Sequence, residues 1–172
     1  MKNLWKAVAG LVVAAGVGMA QEAITVKVEG GGSCNTRAAG LNTFPVTAWS
    51  FGASQQQTFG TSGGAAGKVQ MSNLIVNKLM DECSTLLFKM VSMGTHVDKI
   101  TLTQTDATGR TTLMTVELQT ATVMGYQLSG ATNAGPGETV NFGFGKIVIT
   151  YYGGSGKTTF GWDMTANKMF IP

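Results

Sequence analysis

Apolar and polar residues alternate along most of this chain after residue 22, and this period of two constrains the fold more than any other feature. Ile24, Val26 and Val28 alternate with Thr25 and Lys27, a pattern typical of a strand with one buried face. Comparable patterns predict further strands over residues 45–54, 68–79, 97–106, 111–128, 139–152 and 157–164. The sequence therefore predicts a mainly β domain with antiparallel strands.

One segment, residues 84–93, breaks the period of two. Four of its apolar residues fall at helical spacing, Ser84 or Asp81 could cap its start, and Gly94 could end it. The apolar residues are Leu86, Leu87, Met90 and Met93. The expected architecture is a small antiparallel β-barrel or sandwich with one α-helix.

The predicted strand over residues 139–152 is apolar on both faces, because Ile147, Val148 and Ile149 are consecutive. One face can line the core, and we expect a neighbouring subunit to cover the other. The chain also has few charges, 12 Lys plus Arg and 9 Asp plus Glu in 172 residues. A neutral, Thr-rich surface repels its own copies weakly, which favours self-association.

Residues 1–20 have the pattern of a secretory signal peptide. Lys2 and Lys6 form a basic start, residues 7–17 are an apolar run, and Gly18 and Ala20 are small residues before a cleavage point after Ala20. The apolar run is shorter than the roughly 20 residues of a membrane-spanning helix. Cleavage would leave residues 21–172 as a single domain that is secreted to the cell exterior or the periplasm, without stable membrane insertion.

Charge gives no reason to expect nucleic acid as a partner. Without Lys2 and Lys6, ten of the 12 Lys plus Arg remain against nine Asp plus Glu. A net charge near +1 provides no electrostatic attraction to nucleic acid or to an anionic membrane surface.

Cys34 and Cys83 are the only cysteines, and export would place them where disulfides persist. The residues leave three states open: a bridge within a subunit, a bridge between subunits, or two unpaired thiols with Cys83 buried as a small apolar residue. A bridge within the subunit would be worth roughly 4 kcal/mol in the chain-entropy account.

Two glycine-rich segments resemble phosphate-binding loops but lack the complete pattern. In residues 153–158 the first required glycine is replaced by Tyr151, and the segment lies between two predicted strands rather than before a helix. Residues 63–68 have Ser62 at the corresponding position. The first segment is better interpreted as a hairpin turn and the second as a flexible loop.

The sequence offers no residue set for catalysis, metal binding or cofactor binding. His96 is the sole histidine, so a metal site or a catalytic triad would depend on it alone. The carboxylates are scattered along the chain. We therefore expect a protein that is not an enzyme and carries no cofactor.

Several short motifs, taken in order, resemble the haemolysin-coregulated protein (Hcp) family of type VI secretion. They are Ala-Trp-Ser-Phe-Gly at residues 48–52, Ser-Gln at 54–55, Ala-Gly-Lys-Val at 66–69 and Phe-Gly-Trp-Asp-Met at 160–164. Between the last two motifs lie the predicted helix, Gly94 and His96, in the order that the family shows. The resemblance therefore covers nearly all of residues 23–167.

This resemblance implies hexameric rings that stack into a hollow tube, the inner conduit of a contractile injection machine, with small effector proteins in the lumen. It also implies that Trp49, Phe51 and Trp162 are barrel packing anchors. The loop that would reach a neighbouring subunit or ring spans residues 54–68. Its candidate assembly residues are Gln55, Gln56, Gln57, Thr58, Phe59, Gly63, Gly64 and Lys68.

The signal peptide and the glycine-rich segment 30–40, which contains Cys34, depart from the family pattern. They suggest tubes assembled outside the inner membrane and locked by disulfides. Two alternatives remain: a carrier ring that binds an effector in its lumen, and a conventional tube subunit with an uncleaved N-terminus.

Overall fold

The computed structural model of the chain describes residues 23–37, 39–58 and 65–172. The predicted signal peptide lies outside the described residues, as do Phe59, Gly63 and Gly64. The strands are β1 (Ile24–Glu29), β2 (Asn35–Thr36), β3 (Gly40–Leu41), β4 (Thr43–Val46), β5 (Ala48–Ser50), β6 (Ala53–Thr58), β7 (Ala65–Met71), β8 (Leu74–Leu79), β9 (His96–Thr105), β10 (Thr112–Ala131), β11 (Ala134–Gly153), β12 (Gly156–Asp163) and β13 (Lys168–Phe170), and the helix is α1 (Ser84–Met93).

Nine strands form one antiparallel sheet in the order β13-β12-β11-β10-β9-β1-β4, with β8 branching from β11 and pairing with β5. β4 and β5 are separated only by Thr47, yet β4 pairs with β1 and β5 pairs with β8. Residues 43–50 therefore cross between the two branches of the sheet. The prediction of a mainly β fold with one helix is confirmed, as a sandwich-like sheet that no pairing between described strands closes into a barrel.

The core lies on one face of the sheet, where the period of two places apolar residues in register. Val28 pairs with Ile100, Leu118 pairs with both Ile100 and Ile147, and all four are buried. Val26, Leu102 and Val116 form a parallel row one step along the strands. Each fully buried aliphatic side chain contributes roughly 1.5–3 kcal/mol of hydrophobic stabilisation.

Helix α1 covers one end of this core with Leu87 and Met90. It ends as predicted at Gly94, whose φ of 61° is left-handed and whose backbone N–H donates to carbonyls of the last turn. Neither Ser84 nor Asp81 is the N-cap. Cys83 occupies that position and makes no side-chain capping hydrogen bond. No helix in the described part of the chain is long and apolar enough to cross a membrane.

Several predicted boundaries were wrong. The predicted strand over residues 68–79 is two strands, β7 and β8, interrupted at Ser72 and Asn73. β10 ends at Ala131 and β11 begins at Ala134, so the turn between them is shorter than the one predicted at residues 133–137. Strand β13 was not predicted, because three residues are too few to show a period.

At Val148 the apolar face opposite the core lies next to the chain's own C-terminal strand, and the expectation that a neighbouring subunit covers this face remains a prediction. Val148 pairs with Gly161, and Gly161 pairs with Phe170 of β13. A Cβ on Gly161 would lie 3.1 Å from the Phe170 ring, so this ring lies directly over the glycine. Val148 is consequently buried at 3% exposure.

Candidate functional site: assembly surfaces

The predicted assembly loop is largely a β-hairpin. β6 and β7 pair with each other as a separate two-stranded sheet, so the prediction of an irregular loop over residues 55–67 was wrong. Gln55 pairs with Val69, its side-chain amide donates to the Gly67 carbonyl at 3.0 Å, and Gln56, Gln57 and Thr58 continue β6. Local polar composition concealed these strands, because their stability depends on pairing with each other.

The base of this hairpin is attached to the rest of the domain. The Val69 backbone N–H donates to Asn167 Oδ1 at 3.3 Å, in the turn between β12 and β13. Lys68 is exposed next to it. The hairpin therefore extends from a fixed base, and its role in assembly remains a prediction.

The three aromatic anchors are partly buried against the core. Trp49 Nε1–H donates to Gln104 Oε1 at 3.2 Å, and the Phe51 ring centroid lies 6.0 Å from that of Phe144. Trp162 stacks on Phe160 with centroids 6.2 Å apart. These contacts fit a packing role.

Cys34 and Cys83 form a disulfide within the subunit, between Cα atoms 5.1 Å apart and across 49 residues of sequence. Of the three states that the sequence left open, the structure has the bridge within the subunit, so neither the bridge between subunits nor the unpaired thiols are found. Cys83 is fully buried at the start of α1, and the Cys34 N–H donates to Asn42 Oδ1 at 2.8 Å. The bond thereby fastens segment 30–40 to the helix.

Glycine allows this segment to approach α1 closely. Gly31 has a φ of +77°, and a Cβ there would lie 2.7 Å from Met90 Cε. At Gly32, with a φ of +131°, a Cβ would lie 2.8 Å from Leu86 Cδ1. Both positions favour glycine, because the positive φ is unfavourable for other residues and because a Cβ would collide with a side chain of α1.

A buried polar cluster lies beneath the N-terminus of α1. Lys78 Nζ lies 2.8 Å from Glu138 Oε2 and 3.0 Å from Asp81 Oδ1, and it donates to Ser84 Oγ at 3.1 Å. Tyr126 Oη–H donates to Glu138 Oε1 at 2.7 Å. Burial, followed by this bond to Glu138, raises the pKa of the Tyr126 hydroxyl well above its usual value. The phenol therefore stays protonated and acts as a hydrogen-bond donor.

The described residues offer no arrangement for metal binding. No three His, Cys, Asp or Glu side chains in residues 23–37, 39–58 and 65–172 converge as a metal site would require. His96 on β9 pairs with Thr122 on β10, and its Nδ1 lies 2.9 Å from Thr122 Oγ1 in an exposed position. Gly153 and Gly156 pair across the turn joining β11 to β12, which confirms the hairpin interpretation of this glycine-rich segment.

Two apolar surfaces were missed by sequence reasoning. The first, named here the helix groove, is a cavity of about 360 Å³ between α1 and β10, lined by Met80, Ser84, Thr85, Phe88, Tyr126 and Leu128. The second, named here the edge patch, consists of Phe160, Met169 and Ile171 at the β12–β13 edge of the sheet. Both combine residues from separate elements, so no local pattern could reveal them.

The fold matches those of solved Hcp structures along most of the chain. Hcp1 from Salmonella typhimurium is 24% identical, with a TM-score of 0.73 and coverage of 87% of this chain and 99% of that one. A structure described as a type six secretion system protein is 25% identical, with a TM-score of 0.75 and coverage of 86% and 99%. A type VI secretion system effector from Yersinia pestis is 17% identical, with a TM-score of 0.67 and coverage of 81% and 98%.

These matches define the class as a β-sandwich of the Hcp type. Residues 22–151 also match the family described as "Type VI secretion system effector, Hcp", and the chain belongs to this family. The family is a structural part of type VI secretion and not an enzyme family. No individual curated protein matches the chain significantly.

Proposed function

We propose that this protein is an exported subunit that assembles into hexameric rings, and that the rings stack into a hollow tube similar to that of type VI secretion. The observation that carries the proposal is family membership over residues 22–151 together with a fold that covers 99% of the Salmonella typhimurium Hcp1 structure. Proteins of the Hcp family self-assemble into rings and tubes.

The surface of the subunit supports self-association. Large apolar side chains are exposed in the helix groove and the edge patch, among them Phe88 at 57% and Ile171 at 92%. Exposed apolar patches of this kind mark interaction sites in soluble proteins. The low charge of the chain adds little repulsion between copies.

Export is supported by two independent features. The sequence of residues 1–20 resembles a cleavable signal peptide. The Cys34–Cys83 disulfide is of a kind that persists in oxidising compartments and is rare in the cytosol. We therefore place the assembled tube outside the inner membrane.

Electron microscopy and intact-mass analysis of the full chain expressed in bacteria test this function. We expect six-fold rings or hollow tubes, and a mature protein that begins at Gln21 and has lost two hydrogens to the disulfide. A uniform monomer would overturn the assembly proposal. A retained Met1 would overturn export by signal cleavage and support the conventional tube subunit with an uncleaved N-terminus.

Effector binding in the lumen is a finer part of the proposal. It requires hollow rings that retain an effector from the same secretion system. Rings that polymerise fully without any effector would favour the purely structural subunit over the carrier ring.

A further inference from the structure

A flap of the chain lies against helix α1 and is bonded to it at one point. Residues 30–37 and 39–42, named here the flap, connect β1 to β4, and the pairing of these two strands holds both ends of the flap in the sheet. Cys34 in the flap is bonded to Cys83 at the start of α1. Among the described residues, no hydrogen bond or ion pair joins the flap to α1, so the disulfide is the only bond between them.

The flap forms its hydrogen bonds within itself and to the adjoining strands. Asn42 accepts from the Cys34 N–H through Oδ1 at 2.8 Å and donates its own backbone N–H to the Cys34 carbonyl at 2.7 Å. The Asn42 side-chain amide also donates to the Gly32 carbonyl at 3.3 Å. Thr36 Oγ1–H donates to the Thr43 carbonyl at 2.7 Å. The flap can therefore move away from α1 with these bonds intact.

Little apolar surface holds the flap against α1. Of its described residues only Thr36 is buried, and residues 30–32, part of which adjoins Met90 and Leu86, are glycines with no side chains to bury. All three glycines have a positive φ, and glycine loses more conformational freedom on ordering than any other residue. Segments with few buried apolar contacts are the ones that open first.

The start of α1 is held independently of the flap. Asp81 Oδ1 accepts from the Cys83 N–H at 2.8 Å, and Ser84 Oγ accepts from the Asp81 N–H at 2.8 Å. Lys78 Nζ donates to the same Ser84 Oγ at 3.1 Å, and Leu87 is buried in the core. None of these contacts requires the disulfide, so its loss releases the flap and leaves the helix in place.

We propose that the Cys34–Cys83 bond is a redox latch, which closes the flap over α1 when the bond is present and lets it open when the two thiols are free. Cys34 is partly exposed and Cys83 is fully buried, so exchange takes place at Cys34 Sγ. Closure forms one S–S bond between the two Sγ atoms. An oxidant disulfide is cleaved at the same time to two thiols, which take up the two electrons and two protons. Opening is the reverse reaction with a dithiol reductant, and it uncovers Leu86 and Met90.

The latch gives the subunit a different surface in each redox compartment. Thiols stay reduced in the cytosol, whereas disulfides form and persist outside the inner membrane. The flap is therefore open in a newly made chain and closes after export. This timing rests on the proposed export, but the latch itself does not, because opening and closing can be measured on a single subunit in solution.

Oxidation of methionine by dilute hydrogen peroxide measures the opening. Met90 is 1% exposed and adjoins the flap, Met93 is 68% exposed on the same helix, and Met114 on β10 is packed against the core. The double variant Cys34→Ala with Cys83→Ala is compared with the oxidised wild-type protein by peptide mass spectrometry. We expect Met90 to oxidise about tenfold faster in the variant, because sulfoxide formation follows exposure. Met93 and Met114 should react at their wild-type rates.

Two outcomes of this measurement would overturn the proposal. An unchanged Met90 rate would mean that the flap stays closed without the bond, and faster oxidation of Met114 would mean that the bond holds the whole fold rather than one flap. Alkylation of the reduced wild-type protein by iodoacetamide provides a second readout that needs no variant. Both cysteines should be alkylated under native conditions, whereas lasting protection of Cys83 would contradict an open flap.

Gly31→Ala tests whether bond formation is coupled to closure. A Cβ at Gly31 would lie 2.7 Å from Met90 Cε and 3.0 Å from Val97 Cγ1, so the variant resists closure over α1. Gly40→Ala is the matched control, because Gly40 has a similar φ of +88° but no atom within 4 Å of its Cβ position. In glutathione redox buffers we expect the equilibrium constant for the disulfide to fall about tenfold in Gly31→Ala and to stay near the wild-type value in the control. Equal constants in the two variants would show that the bond forms without closure of the flap.

Discussion

Lys78 and Glu138 form an ion pair of 2.8 Å between two side chains with no solvent exposure, 60 residues apart in the sequence. The pair joins β8 to β11 directly beneath the start of α1, and Ser84 and Tyr126 complete its hydrogen bonds. The helix groove is built on this cluster, since Ser84 and Tyr126 also line the groove. Two of the side chains that line the groove are therefore held in place by hydrogen bonds to a buried ion pair.

Removing one partner of this pair should be costly. Lys78→Met leaves Glu138 charged and buried, and we expect a loss of about 3–5 kcal/mol in the free energy of unfolding, measured by urea denaturation. The control is the double variant Lys78→Met with Glu138→Leu, which should recover part of the loss because it removes the fully buried carboxylate, while Asp81 still lacks its ion-pair partner. If the single and double variants were equally destabilised, the lost energy would come from packing rather than from the pair.

Replacing both cysteines should weaken the fold without separating subunits. Cys34→Ser with Cys83→Ser should lower the free energy of unfolding by about 4 kcal/mol, because the bridge closes a loop of 49 residues. On non-reducing gels the wild-type protein, once denatured, should migrate as a single chain. Disulfide-linked dimers on that gel would contradict the bridge within the subunit.

Asp106 should make the β9–β10 turn sensitive to acid. Its carboxylate accepts hydrogen bonds from Thr108, Arg110 and Thr111, which lower its pKa to about 2, with the Thr108 side-chain bond as the largest cause. A lowered pKa means that the stabilisation is complete above the unfolded value near 4 and is lost as the pH falls toward 2.

Asp106→Asn should therefore flatten the pH dependence of stability between pH 4 and pH 2, measured by thermal unfolding. Asp98→Asn, on the neighbouring strand β9, serves as a control that keeps the turn intact. An unchanged slope in the Asp106 variant would show that the unfolding reaction does not sense this turn.

Gly161→Ala should detach strand β13. A Cβ at this position would lie 2.8 Å from the Phe170 backbone oxygen, and β13 is held by only three register pairs, so the strand gives way more easily than β12. We expect faster amide hydrogen exchange in residues 168–170 with the core still protected. Gly154→Ala, at an open position, is the matched control. Slow exchange in both variants would mean that β13 shifts without detaching.

The alternation of apolar and polar residues was enough to predict the β class, and the helical spacing of residues 84–93 was enough to predict α1 and its end at Gly94. Each of these patterns depends on residues close in sequence. Val28, Ile100 and Leu118 fall on the buried parity that the alternation predicts. The boundaries near residues 72 and 131 failed because Ser72 exchanges hydrogen bonds with Gly52 at the base of the β6–β7 hairpin, and because Ser129 and Ala131 extend β10 only through pairing with β11.

The candidate surfaces were harder to predict. The assembly hairpin was found only as a segment, through its family resemblance, since β6 and β7 carry few apolar residues. The helix groove brings Met80, Phe88 and Leu128 together from three elements, and Lys78 shows no sign in the sequence of a partner 60 residues away. Such contacts are set by the tertiary fold and have no local pattern.

The Cys34–Cys83 disulfide lies within the subunit, and this has a consequence for how a tube of this protein would disassemble. The covalent bond strengthens each subunit but joins none to another, so no disulfide between Cys34 and Cys83 of different subunits holds the proposed rings together. We expect such a tube to release its subunits without reduction of any disulfide, and each released subunit to keep the bond that fastens segment 30–40 to α1. The same material can then be reassembled without any redox chemistry.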